Sequence, residues 1–283
     1  MCDRRWPEAI AAHRPFDHLR ATRRFWRHWA SKLQYDGPWR HDVQRSALTL
    51  KMLQFAPTGA MVAAPTTSLP VCPGGQRNWD YRFSWTRDSA MAIRAMNLIG
   101  YHDEAVGFFH FVRDTIERHD RLDLMVTIGG ADVPAETILD HLCGHAGRGP
   151  VRIGNAAAAQ IQHDIVGPLL DAAFLYEHAG GVLTLSLWRD IRQAVDAAIG
   201  TIGEPDHGIW EPRARPGHHV HSKLMTWVAL DRALHLAPLF AGDPSLGSWR
   251  THVQSLRREI LAHGYDRGRG TFVGEYGGDS VDA

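Results

Sequence analysis

The stretch Ala105-Val-Gly-Phe-Phe-His-Phe-Val-Arg-Asp-Thr-Ile116 decides the fold class. Ala105, Phe108, Phe109, Val112 and Ile116 fall at i, i+3, i+4, i+7 and i+11. That spacing builds one apolar face of a helix and cannot face a strand in one direction. The same period recurs outward on both sides. Toward the N-terminus, Arg87–Leu98 reads as a helix closed by Gly100. Residues 39–54 form another around Val43, Ala47 and Leu50. Residues 16–33 form a lead-in helix, with Phe16, Leu19, Phe25, Trp26, Trp29 and Leu33 among arginines whose stems cover apolar surface. Toward the C-terminus, helices are expected over 156–178, 187–202, 220–236 and 249–260. Alternating Val/Ile/Thr patterns are nearly absent, so the chain is predicted to be all-α.

The connections alternate in length. Long, motif-bearing ones lie at 56–86, 121–155 and 203–219, with short ones between. Antiparallel helical hairpins stacked in a ring or solenoid give that rhythm, with the long loops collecting at one end. No repeat of fixed period is visible, which disfavours a tetratricopeptide-like array.

Bulk properties exclude several function classes. The chain has 283 residues, with 31 basic and 31 acidic side chains, so no basic stripe calls for nucleic acid or an anionic membrane. The three cysteines, Cys2, Cys72 and Cys143, are too few and scattered for a disulfide framework or a zinc site. No stretch approaches the roughly 18–20 apolar residues of a membrane span. A soluble, cytoplasmic protein is expected.

The chemistry concentrates in the long loops. Residues 78–89, Asn-Trp-Asp-Tyr-Arg-Phe-Ser-Trp-Thr-Arg-Asp-Ser, place Trp79, Tyr81, Phe83 and Trp85 alternately with Asp80, Arg82, Arg87 and Asp88. Aromatic faces stack on sugar C–H faces, and Arg–Asp pairs direct hydrogen bonds to hydroxyls. In the second run, His207-Gly-Ile-Trp-Glu-Pro-Arg213, Glu211 follows Trp210. A general acid for glycoside cleavage is a carboxyl that stays protonated near neutrality in apolar surroundings, and Trp210 is a candidate for supplying them. Gln160 and Gln162 lie among small apolar residues and need partners from loops or a sugar. His218, His219 and His221 have a metal-like spacing, but no acid–histidine motif completes it, so a surface or capping role is expected.

Several segments in order resemble glycoside hydrolase family 15, the glucoamylases, glucodextranases and bacterial trehalases. They are Arg45-Ser-Ala-Leu-Thr-Leu-Lys51, Ala64-Pro-Thr-Thr-Ser-Leu-Pro70 and Arg77-Asn-Trp-Asp-Tyr-Arg-Phe-Ser-Trp-Thr-Arg-Asp88. Pro150-Val-Arg-Ile-Gly-Asn-Ala156, Gly208-Ile-Trp-Glu211 and His221-Ser-Lys-Leu-Met225 continue the series. The resemblance implies an (α/α)6 toroid and inverting, exo-acting hydrolysis of a terminal α-glucose without a cofactor. It assigns Glu211 to the general acid, Arg87 and Asp88 to the glucose hydroxyls, and Tyr81 and Trp85 to the pocket walls. Arg152 and Asn155 are expected near the site on the next long loop. Pro212 stands where some members carry a second acid.

The departures from the family pattern concern extent. A closed toroid has about twelve helices, whereas about eight are legible at ordinary helix and loop sizes. Residues 1–283 are therefore expected to form one partial catalytic domain, with 1–35 as lead-in segment, no N-terminal β-sandwich domain and no catalytic base. Two function classes follow: an α-glucoside hydrolase acting on trehalose, maltooligosaccharide or isomaltooligosaccharide, or a catalytically silent sugar-binding or interaction module. An open ring would leave inner faces exposed and favour self-association, with negligible hydrolysis by the isolated chain.

Overall fold

The computed structural model describes residues 14–72, 74–240 and 246–282. The first part of the lead-in segment, with Cys2, lies outside them. Among the described residues there are eight α-helices: α1 Pro15–Ser31, α2 Arg40–Leu53, α3 Thr86–Leu98, α4 Asp103–His119, α5 Val166–His178, α6 Leu185–Gly200, α7 Val220–Leu236 and α8 Leu246–His263. The strands among these residues form two-residue antiparallel pairs. Ser84–Trp85 (β1) pairs with Met125–Val126 (β2), Thr137–Ile138 (β3) with Arg152–Ile153 (β4), and Tyr265–Asp266 (β5) with Thr271–Phe272 (β6). The all-α expectation holds.

The helices pack in two layers. In the inner row α5 lies between α3 and α7, while α4, α6 and α8 pack behind them. This is an arc of the helical toroid that the sequence implied. Its core runs along the inner row through Ile93 and Met96 of α3, Leu169 and Leu170 of α5, and Leu230 and Leu236 of α7, all buried. Each such side chain contributes roughly 1.5–3 kcal/mol relative to exposure.

Chain direction places the functional loops. The inner helices α3, α5 and α7 each begin directly after a long connection, whereas α3–α4 and α5–α6 are joined by short ones at 99–102 and 179–184. The long loops therefore feed the N-terminal ends of the inner row, where exposed N–H groups and the helix dipoles present positive potential. At the α3–α4 turn, the Trp29 ring of α1 stacks on Tyr101 at 3.9 Å, and its indole N–H donates to Glu104 at 2.6 Å. Lys51 of α2 pairs with the same carboxylate at 3.0 Å, fastening α1 and α2 to the arc.

One predicted helix is shorter than its period suggested. Residues 156–165 are two short 3-10 turns, Ala156–Ala159 and His163–Ile165, with extended backbone between them, and α5 begins only at Val166. Backbone N–H groups that would have bonded within a helix go elsewhere. Ile161 donates to His207 Nδ1 at 3.3 Å and His163 to Asp206 Oδ2 at 3.0 Å, both across to the 203–219 loop. Ile161 is accordingly exposed rather than on an apolar face.

The tightest joint in the inner row is at Gly167, where a Cβ would sit 2.4 Å from the Met225 carbonyl oxygen of α7. Two main chains approach there with nothing flexible between them. Gly167→Ala is expected to destabilise the fold by about 1–3 kcal/mol through overpacking. Urea unfolding would read this as a lower midpoint; an unchanged midpoint would show that α5 and α7 separate freely.

Candidate active site

The first part of the 78–89 run, through Trp85, is extended and pairs with the Pro-rich segment before it, while Thr86–Ser89 open α3. Ala63 N–H donates to Phe83 O, Ala64 N–H to Tyr81 O and Ser68 N–H to Trp79 O. The aromatics divide between two roles. Phe83 and Trp85 are buried in the core, whereas Trp79 and Tyr81 face an open cleft of about 690 Å³. Asp80 is buried and pairs with Arg82 at 2.7 Å; it also accepts the Gly154 N–H at 3.1 Å, so this acid holds loops together.

The cleft is formed where the three long loops meet. Tyr81 comes from the first, Arg152 and Asn155 from the second, and Trp210, Glu211 and Arg213 from the third. Several cross-loop contacts fix them. Arg213 and Arg152 lie over the Trp79 ring at 4.1 and 4.8 Å, and both pair with Glu136, at 2.6 and 3.2 Å. Burial works against the Glu136 charge, but Arg213, the Ala156 N–H and Arg152 outweigh it and hold the carboxyl below its usual range. Arg152 also donates to Gln76 O at 2.8 Å. Asn155 donates to Asp80 O and accepts from Ala157 N–H, at 3.2 and 3.0 Å. Arg152 and Asn155 thus line the cleft while their polar atoms bind its own loops.

Glu211 stands at the floor in a conformation that side chains rarely adopt, with φ +53°. Such a backbone costs of order 1 kcal/mol or more and persists only where its surroundings over-determine it. Here they do. The Trp85 indole N–H donates to Glu211 Oε1 at 2.8 Å and Arg87 Nη2 donates to the same oxygen at 3.2 Å. Gln160 holds the next carbonyl, Pro212 O, at 3.1 Å. Trp210, the expected apolar neighbour, is instead 69% exposed at the rim, its indole N–H on Asp282 at 2.8 Å. The ring that touches the Glu211 carboxyl is Trp85.

Arg87, in the first turn of α3, is buried and surrounded by oxygen. Its Nη1 donates to Gln162 Oε1 at 2.6 Å and to Asp164 Oδ2 at 3.1 Å; its Nη2 reaches Glu211 and lies 3.7 Å from Asp88. Burial opposes the Arg87 charge, yet Asp164, Asp88 and Glu211 together hold the guanidinium above its ordinary range. Asp164 is also buried, but His221 and Arg87 keep its carboxyl below the usual range. Asp88 sits beside Arg87 over a hollow lined by Leu50, Leu53 and Met61. Its tip is 55% exposed, but the protein around it pushes its carboxyl up by more than Arg87 pulls it down.

The remaining sequence candidates scatter. His219 packs on Gly208, His218 stacks on Tyr276, and His221 approaches Asp164 at 3.5 Å. Among the described residues no group of three or more His, Cys, Asp or Glu could hold a metal ion, and no helix is long and apolar enough to cross a membrane. Asp164 and Glu136 escaped sequence reasoning. Asp164 had a signal, since it ends the polar run Gln160–Asp164 that demanded partners; Glu136 had none.

Comparison with known proteins bears on family and fold. The model of glycosyl hydrolases family 15 matches residues 37–283. A trehalase of Mycolicibacterium smegmatis is 44% identical over 273 residues, covering 94% of this chain and 41% of its own. A trehalase of Thermoplasma volcanium is 39% identical over 271 residues, covering 96% and 43%. The chain thus spans less than half the length of these curated relatives. Among solved structures, a bacterial glucoamylase complexed with acarbose superposes with a TM-score of 0.66 at 15% identity, over 95% of this chain and 36% of that one. A glycosidase in complex with glucose gives 0.62 at 21% identity, over 90% and 63%. These two share the fold. With the family pattern spanning most of its length and relatives this similar in sequence, the chain belongs to glycosyl hydrolase family 15.

Proposed function

We propose that this chain forms the acid side of an inverting, exo-acting α-glucoside hydrolase, with Glu211 as general acid. The observation that carries this reading is the convergence of the Trp85 and Arg87 N–H groups on Glu211 Oε1, at 2.8 and 3.2 Å, on the floor of an aromatic-walled cleft. An oxygen that accepts two donors is a poor place for a proton. The acid proton therefore resides on Oε2, which delivers it to the glycosidic oxygen as the bond to the anomeric carbon breaks. Tyr81 walls the terminal glucose, Trp85 backs the site through its indole N–H on Glu211, and Arg87 with Asp88 is the proposed hydroxyl-binding pair beside it. Trehalose is the proposed substrate, because curated relatives 44% and 39% identical to this chain bear the name trehalase.

Inversion also needs a second carboxylate, about 6.5–9.5 Å from the first, to activate water on the opposite face of the sugar. Asp88 and Asp164 share Arg87 with the acid and are committed on its side. Neither Asp88 nor Asp164 is therefore proposed as the base. The alternative is a silent sugar-binding module that shares the same cleft.

In an assembly of this chain that releases glucose from trehalose, Glu211→Gln should lower kcat by about 10²–10⁴-fold while leaving the sugar Kd nearly unchanged. Stopped assays with calorimetry measure both, and a variant that keeps most of its turnover would move the acid to another residue. Asp88→Ala should weaken binding and slow turnover together, since hydroxyl contacts tighten in the oxocarbenium-like state. An unaltered Kd would remove Asp88 from the sugar site. Trehalose binding without glucose release in every assembly would identify the silent module.

A further inference from the structure

We propose that Asp164 is a positioning residue for the acid: buried between Arg87 and His221, it balances the Arg87 guanidinium that touches Glu211. This deepens the reading of Glu211 as proton donor and rests on it. A buried guanidinium 3.2 Å from a carboxyl favours the ionised carboxylate. A general acid needs the reverse, because it must hold its proton until the transition state. The site therefore contains a conflict unless the Arg87 charge is compensated.

Asp164 is placed to compensate it. Its residue is 0% exposed, and both carboxylate oxygens lie within 3.3 Å of Arg87 Nη1. Gln162 Oε1 takes the same amino group at 2.6 Å, so Nη1 is occupied and Nη2 is the group turned toward Glu211. Asp164 thus fixes both the direction of Arg87 and its net charge. Asp88 cannot do this alone, since it lies farther away at 3.7 Å and opens to solvent. The turn that carries Asp164 is itself anchored, with the His163 N–H on Asp206 and the Ser222 hydroxyl on the same Asp206 oxygen. The charged and titratable groups around this unit are Arg87 and Asp88 from α3, His221 from α7, His163 beside Asp164, and Tyr81 facing Glu211.

The test is the titration of the Glu211 carboxyl, followed by ¹³C NMR on the full chain labelled at glutamate and assigned by the signal lost in Glu211→Gln. Asp164→Asn keeps shape and removes charge, so Glu211 should titrate about one pH unit or more lower than in the wild type. Asp164→Glu restores the charge and should return the titration most of the way. If the Asn variant fails to fold, Asp164→Ser supplies a smaller neutral replacement with the same expected direction. Identical titrations in wild type and a neutral variant would overturn the proposal, as would a Glu variant that behaves like the neutral one. In an assembly that releases glucose, the alkaline limb of kcat should move down in parallel. A shifted Glu211 titration without hydrolysis by any assembly would keep the role of Asp164 and reject the hydrolytic reading instead.

Discussion

The structure depends on one buried cation. Arg87 enters the first turn of α3 with its guanidinium out of water, and a buried charge is expensive unless paired and hydrogen-bonded. Its partners come from three different segments: Gln162 and Asp164 before α5, Glu211 in the 203–219 loop, and Asp88 from its own turn. Satisfying Arg87 therefore draws together loops that are far apart in sequence. The cleft exists because those loops cannot separate without stranding that charge.

Around this centre the loops are tied by contacts that contribute no chemistry of their own. Trp79 lies beneath the Arg152 and Arg213 guanidiniums, and Glu136 pairs with both. Asp80 and Asn155 link the first loop to the second. Buried Lys223 of α7 donates to the Ile202 and Glu204 carbonyls, closing the start of the third loop onto the inner row. Burial lowers the proton affinity of this lysine despite the nearby Glu259, Asp206 and Glu204, a cost accepted to fix the loop that carries Glu211. The positive φ of Glu211 is held by the same framework.

Local periodicity made most of the fold legible. The limits of α7 coincide with the predicted 220–236, and its buried residues Ser222, Thr226, Ala229, Ala233 and Leu236 recur at helical spacing along one face. It failed at 156–165, where the spacing of Ile161, Ile165 and Leu169 imitates a helix. There, cross-loop hydrogen bonds compete with i→i−4 bonds and win. The cluster around Arg87 was also legible, since buried charge at the start of an apolar helix needs pairing or a ligand. The identity of the ring against Glu211 was not. Chain adjacency pointed to Trp210, but the left-handed backbone at Glu211 turns its carboxyl toward Trp85, 126 positions away. Pairings such as Glu136 with Arg213 span 77 positions and leave no local trace.

The proposed proton donation requires that Glu211 keep Oε1 engaged by Trp85 and Arg87 and meet the sugar with Oε2. A crystal structure of the chain with trehalose bound tests that most directly. The inter-glucose oxygen should lie within hydrogen-bond reach of Glu211 Oε2, about 2.6–3.2 Å, with one glucose against Tyr81. Trehalose seated elsewhere, or with its bridging oxygen directed away from Glu211, would contradict it.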